Sequence, residues 1–549
     1  MSLLTDLFGY LSILVHGLTI VAQSTMIGGI AFLVLLARPL AQSIGKGVSI
    51  CARTRAIVIA SAWGLVASAT AAIALQGPLL ASTVGLGFTD VLSAGFAVAA
   101  LIKIACAIVL ITLFYLLRDR VPSALLIAVA AVEIAAATLT THAIARLDHR
   151  PLLAMAAALH QIGAAIWIGG LPCFVMALAR VHDGARWRQI GQRYSQMSVA
   201  GVVLIFISGI LMSMFYIGDL QGFYGTAYGA MVGAKIAMFA ALLALGAMNN
   251  RLIERLRAAP ETPVIRLKRF AEVEIGIGFT LFFAAASLTS VPPAVDLTTD
   301  RVTWHEIVER FEPHWPRLTS PDRESLAIPA LQAELDREAA QRQSRARSAF
   351  EPGAGYLPPR NAADIAWSEY NHHWAGIAVL LIGSLALLNQ AGVRAARHWP
   401  LLFLLLALFL FLRSDPEVWP LGQIGFWESL RDTEVIQHRI FVVLITVFGL
   451  FEWRVRTGRL GSTRAALVFP LASALGGALL LTHSHAISNL KDQLLIELSH
   501  IPLALAGIAA GWARWLELRL EPPLARIAGW VWPPCFMLAG LILLLYREV

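Results

Sequence analysis

Imidazoles set the chemistry this chain could perform. Of its 14 histidines, His16, His142, His160, His372, His373, His438, His483, His485 and His500 lie inside or at the edges of long apolar runs. An ionisable side chain is costly there, so a functional site is the default reading. Neutral imidazole suits copper, zinc, iron and nickel as a ligand. Methionine is skewed as well, with Met155, Met176, Met197, Met212, Met214, Met231, Met238 and Met248 concentrated in one stretch. Thioether sulfur favours Cu(I) over hard cations. Met231 and Met238 share a helix face with Lys235. The plainer readings are that a histidine bonds a neighbouring helix and that a methionine fills a packing gap. Cys51, Cys106, Cys173 and Cys535 are far apart with no C-x-x-C, which gives no disulfide or zinc framework.

The elements that must position these groups are membrane helices. The chain is 58% hydrophobic and 14% charged. Apolar runs long enough to cross ~30 Å of hydrocarbon recur throughout. There are about fourteen, at roughly 8–37, 55–76, 92–117, 122–145, 152–180, 194–218, 226–250, 269–290, 373–391, 397–413, 435–453, 464–487, 491–516 and 524–546. Hydrocarbon cannot satisfy backbone N–H and C=O groups, so such runs are helices. The expected fold is an all-α polytopic membrane bundle.

Basic residues orient it. Arg38, Lys46, Arg53 and Arg55 follow the first span, and Arg180, Arg186, Arg188 and Arg193 follow the fifth. Similar groups follow the other odd-numbered spans, whereas the intervening linkers carry acids such as Asp90, Asp219 and Asp415. The positive-inside rule then places both termini outside. The net charge of +8 is spread over these cytoplasmic loops, so it indicates topology and not nucleic-acid binding. The N-terminus lacks a basic n-region and reads as a retained span. On this topology the membrane histidines share the outer side, and only His182 and His398 fall on the cytoplasmic one.

Four parts follow: a four-helix membrane segment over 1–150, a second four-helix unit over 151–293, an external polar segment over 294–366, and a six-helix unit over 367–549. The external segment is rich in charge and proline, predicts a short helix over 328–347, and is too small and polar for a core of its own. His142-Ala-Ile with His160 echoes His485-Ala-Ile with His500, each a helix end, a tight turn and a second histidine.

Three stretches resemble the copper-resistance D (CopD) family: LHQIGAAIWIGGLPCFVMAL from Leu159, YGAMVGAKIAMFAALLALGAMNNRL from Tyr228, and RFAEVEIGIGFTLFFAAASLTSVPP from Arg269. The resemblance covers about 155–293, with Thr141–Ala143 matching the family's preceding histidine-bearing helix. The segments WSEYNHHWAG and THSHAISN resemble the C-terminal half of longer CopD-like proteins. It implies a bacterial inner-membrane protein of copper homeostasis or resistance, moving copper across the cytoplasmic membrane.

On that reading, copper, as Cu(I), is bound near the outer face by His142 and His160, with His16 and Met212 or Met214 completing the set. A second site comprises His483, His485 and His500, with His485 as the partner of His500, joined by His438 or by His372 and His373. Two alternatives stand beside it. One is a membrane cytochrome with bis-His haem b, whose axial ligands would be His142 and His160, or His485 and His500. The other is a receptor for a periplasmic copper-binding protein, acting through segment 294–366. The chain has no GxxxxGK[ST] for an ATP-driven pump and no hydrolase nucleophile motif, so an enzyme is not expected. The partners expected are copper ion and the lipid bilayer, with no nucleic acid.

Overall fold

The computed structural model describes residues 2–43, 47–84, 87–181, 183–259, 263–297, 301–321, 362–415, 418–422, 424–430, 433–482 and 490–548. The predicted helix over 328–347 and the histidines His483 and His485 lie outside the described residues. Helices make up the fold, and among the described residues no strand is formed beyond one isolated bridge, Val418 to Ile424.

The first part holds α1 (Ser2–Phe32), α2 (Gly47–Val84), α3 (Gly95–Leu117) and α4 (Ser123–Thr138). The second holds α5 (Arg150–Ala164), α6 (Leu171–Arg180), α7 (Gly184–Tyr216), α8 (Ala227–Ala258) and α9 (Ile265–Leu288). A short helix, α10 (Trp304–Phe311), follows. The last part holds α11 (Ala362–Gln390), α12 (Leu402–Arg413), α13 (Thr433–Arg456), α14 (Val468–Leu480), α15 (Leu490–Arg519) and α16 (Leu524–Leu544).

Among the described residues, eleven helices are long and apolar enough to cross a membrane. The other three expected spans fall on less typical helices. Residues 123–138 and 465–480 are apolar but short. Helix α13 is long but carries Arg439, Glu452 and Arg454. Glu452 is buried and paired with Arg456 at 2.6 Å, as a charge within a bundle must be.

Local chemistry fixes where helices begin. The side chains of Asp183, Asp219 and Thr226 accept N–H bonds from Ala185, Gly222 and Gly229, capping the N-termini of α7, of the short helix Leu220–Tyr224 and of α8. Between α5 and α6 the chain widens into a π turn, Ala165–Gly169, rather than breaking. Such turns frequently mark functional positions. Helix α1 crosses this turn at close quarters, because a Cβ on Gly28 would stand 2.2 Å from the Ala165 carbonyl oxygen. Only glycine permits that approach.

The membrane units meet along a seam between α9 and α15. Gly276 receives the Trp512 ring, and Glu272 accepts from Trp515 Nε1 and from Arg519, each at 3.0 Å. At one end the described part of the external segment lies across both units. Val302 N–H bonds the Gly225 carbonyl at 3.0 Å, and Arg301 grips both Asp219 oxygens at 2.8 Å. The Gly222 amide and then the Arg301 guanidinium hold the Asp219 carboxyl below its ordinary value. Farther along, Arg310 donates to the Glu548 carbonyl at 3.1 Å and Arg547 to the Glu309 carbonyl at 2.6 Å. This tethered end is also the His142 end of the bundle.

Candidate functional site

His142 opens a single helical turn, His142–Ala145, between α4 and α5. Its imidazole sits edge-on to two tyrosines, Tyr216 at the end of α7 (6.3 Å between ring centres) and Tyr228 at the start of α8 (6.5 Å). The tyrosines contact each other at 6.4 Å, and the Arg146 guanidinium lies 5.9 Å from the Tyr216 ring centre. The Leu288 carbonyl lies beside the imidazole. The Nε2 atom is buried without a hydrogen-bond partner. Buried polar atoms are nearly always satisfied, and an exception calls for an explanation such as a missing ion.

His160 lies on α5. Its Nδ1 is 3.0 Å from Ser208 Oγ on α7, and Lys235 of α8 is within electrostatic reach. Ser208 and Tyr216 are eight residues apart, so the two histidines meet α7 at heights ~12 Å apart along its axis. Met212 falls midway on the same face of α7 and packs, partly buried, against the core cluster that includes Tyr216 and Tyr228. Met214 is 67% exposed and points away from that face. The two methionines are therefore not equivalent candidates.

His16, on α1, neighbours Lys103 of α3 instead. Among the described residues, His16, His142 and His160 neither hydrogen-bond nor stack with one another. The buried Lys103 and Glu133 do not close an ion pair, and both Glu133 oxygens lack a hydrogen-bond partner.

One face of α8 ties these levels together. Tyr228, Met231, Lys235, Met238 and Asn249 recur at helical spacing, and Met231 and Met238 are buried (4% and 3% exposed). Tyr228 meets His142 and Lys235 neighbours His160, while Asn249 donates to Glu274 of α9 at 2.5 Å. Trp167, inside the π turn, also bonds Glu274 and accepts from Tyr194 through its carbonyl. Sulfur, imidazole and polar groups thus gather along this helix from Tyr228 to Met238, and Asn249 follows beyond the buried Leu242 and Leu245.

In the C-terminal unit, His438 is held by Asp415 at 2.6 Å across the α12–α13 connection. The ring of His373 is used twice, with Nδ1 accepting from the Arg317 amide at 2.7 Å and Nε2 donating to the Tyr546 carbonyl at 2.8 Å. His373 is thereby a staple for the external segment. His372 stacks on the Tyr546 ring at 4.0 Å, and His500 meets the same ring edge-on at 6.0 Å. A polar cavity of about 260 Å³ opens alongside, bounded by His314, Arg317, Glu369, His373, Tyr546 and Arg547. Among the described residues, no group of three or more His, Cys, Asp or Glu side chains is gathered as a ready metal site.

Sequence reasoning did not foresee Tyr216 and Ser208, which are ordinary residues whose importance comes from what α7 faces. The four-residue steps from Ser208 through Met212 to Tyr216 were the available signal.

Residues 188–288, which include Ser208, Met212, Tyr216, Tyr228, Lys235, Asn249 and Glu274, match the family model described as Copper resistance protein D. The Copper transport protein CutJ of Bacillus subtilis (strain 168) is 30% identical over 142 residues. That alignment covers 24% of this chain and 24% of CutJ, about a quarter of the relative's length. No solved structure matches the chain. The chain is a multi-pass helical membrane protein that carries, within its bundle, a segment similar to copper resistance protein D.

Proposed function

We propose that this protein moves copper across the cytoplasmic membrane through the unit at 151–293, with His142 as its outermost ligand. The observation that carries the reading is the buried, unpartnered Nε2 of His142 between Tyr216 and Tyr228. An imidazole nitrogen with an unused lone pair, walled by aromatic rings, fits a soft cation better than it fits a structural contact. Met212, one turn from Tyr216 on the same face of α7, supplies the thioether that selects Cu(I). His160, bonded to Ser208, stands one level deeper, and the α8 face with Met231 and Met238 continues the column. The arginine distribution supports an outward-facing His142 end.

The test is copper flux into proteoliposomes holding the purified full chain, with copper content and an absorption spectrum of the same sample. Flux that falls in Met212→Leu supports the reading. A Soret band with no copper overturns it in favour of haem. Copper flux unaffected by His142 and Met212 substitutions, but lost when residues 301–321 are altered, overturns it in favour of a receptor role. Reporter fusions test the orientation: after residue 260 they read cytoplasmic, and near 330 they read external.

A further inference from the structure

We infer that the N-terminal unit holds a proton-exchange site, the Glu133 carboxyl of α4 facing Lys103 of α3, and that copper movement through the neighbouring unit is linked to release of its proton. The link rests on the reading above, whereas the proton site itself does not.

Glu133 is 0% exposed and is the one ionisable side chain of α4. Neither of its oxygens has a hydrogen-bond partner. Lys103 is buried and within electrostatic reach, yet among the described residues the two close no ion pair. A buried carboxyl with a purely structural role is held by its neighbours. Glu274 accepts from Asn249, and Glu452 pairs with Arg456 at 2.6 Å. A bare carboxylate in such surroundings is costly, so the form that stands without partners is the acid, with its proton on Oε. The Lys103 charge offsets part of that cost and makes the ionised form reachable. Both forms are then available to one group, as a proton carrier requires.

The helices packed against α4 are α1, α3 and α5. Helix α3 brings the Cys106 thiol beside Lys103, and α1 brings His16, which neighbours Lys103. Helix α5 brings Gln161 and His160, the latter turned to Ser208. A polar thread leads from the Glu133 turn to the copper unit. The Ile134 carbonyl accepts from Thr138 Oγ at 2.8 Å, Thr138 Oγ accepts from Gln161 Nε2 at 3.4 Å, and Gln161 Oε1 accepts from Gln23 Nε2 at 3.3 Å. Gln161 adjoins His160, and α4 ends four residues before His142. Glu133 lies ~7.5 Å along the axis from that end.

The step is one proton transfer. The Oε–H bond breaks, the proton passes to water at the His142 end, and the carboxylate is left opposite Lys103. No electrons move. The transfer removes one positive charge from this half of the bundle, which offsets the charge a Cu(I) ion brings. Copper that enters therefore expels the proton.

The experiment uses proteoliposomes holding the purified full chain with a pH dye inside, in wild type, Glu133→Gln and Glu133→Gln/Lys103→Met. Infrared spectra of the same samples across pH read the carboxyl directly. In wild type a protonated-carboxyl band should convert to a carboxylate band as pH rises, and both should be missing from Glu133→Gln. Added Cu(I) should shift the lumenal pH in wild type, and the shift should be lost in both variants. The double variant leaves no lysine without its carboxyl, so it carries the same readouts if Glu133→Gln alone fails to fold. A structural pair predicts the contrary, with proton movement the same in wild type and the double variant. Spectra identical in wild type and variants, or a lumenal shift that persists in either variant, overturns the proposal. Copper flux without proton movement, in a wild type whose Glu133 titrates, overturns the link. A wild type that carries no copper, but whose carboxyl band is lost in Glu133→Gln, overturns the reading above and supports the proton site.

Discussion

Replacing His142 with phenylalanine separates a ligand from a structural histidine, because the two roles predict opposite stabilities. Phenylalanine keeps a ring against Tyr216 and Tyr228, so the edge-on contacts, about 0.5–1.5 kcal/mol each, are retained. The substitution removes Nε2, a buried acceptor without a partner, whose burial costs ~1–3 kcal/mol. It also removes the contact with the Leu288 carbonyl, worth ~0.5–1.5 kcal/mol. The difference leaves the apo protein as stable as wild type, or more stable by about 1 kcal/mol. Copper binding should respond in the other direction. Losing a partner that merely orients a ligand costs roughly 10–100-fold in metal affinity, so losing the ligand should cost about 100-fold or more. Thermal unfolding in detergent, with and without Cu(I), reads both quantities. At a copper concentration 100 times the wild-type Kd, binding stabilises the wild type by about 2.7 kcal/mol, an increment that falls to about 0.4 kcal/mol or less in the variant. A variant destabilised by ~2 kcal/mol that binds copper normally would show His142 to be a packing residue and refute the reasoning.

Three further outcomes follow from the same geometry. Met212→Leu should lower Cu(I) affinity while Met214→Leu leaves it unchanged, because only Met212 faces the core and Met214 is 67% exposed; chelator competition separates them. Gly28→Ala should destabilise by about 1–3 kcal/mol, since its Cβ meets backbone atoms at 2.2 and 2.4 Å, whereas Gly64→Ala, with a 3.6 Å contact to Ala22, should be nearly silent in thermal unfolding. Asp219→Asn should loosen the external segment at neutral pH, measured as faster hydrogen exchange over 301–311. The native carboxyl lies below its ordinary value of 3.8, so its stabilisation is complete above that pH and is lost as pH falls through the depressed value. Wild type and variant should therefore converge only in acid.

The bundle was legible because hydrophobic length alone dictates a membrane helix. Where the fold departs from that reading, charge or shortness is responsible: α13 spends Arg439, Glu452 and Arg454 within a span, and residues 123–138 are too few to cross unaided. The first site was partly legible. His142, His160 and Met212 stand out by type, but the tyrosine walls come from α7 and α8 and gain meaning only when those helices meet. Pairing His500 with His485 follows the His-Ala-Ile echo, and His485 lies outside the described residues. The meeting of His372 and His500 on Tyr546 has no signal in the sequence, because no spacing rule connects Tyr546 to either.

Electrostatics then ranks the histidines of the first unit. A cation entering the column from the His142 end passes the Arg146 guanidinium, whose charge Asp296 balances at 2.9 Å, and then meets the aromatic faces of Tyr216 and Tyr228. At the level of His160 the situation reverses, since Lys235 stands within electrostatic reach and a like charge there is opposed in a medium of low dielectric. His160 is also already bonded to Ser208, whereas the Nε2 of His142 is bonded to nothing. Burial and hydrogen bonding thus favour His142 with Met212 as the binding level and His160 as the group that closes it from below. A copper shell in His160→Gln that keeps one nitrogen and one sulfur would support this order, and loss of the sulfur would reverse it.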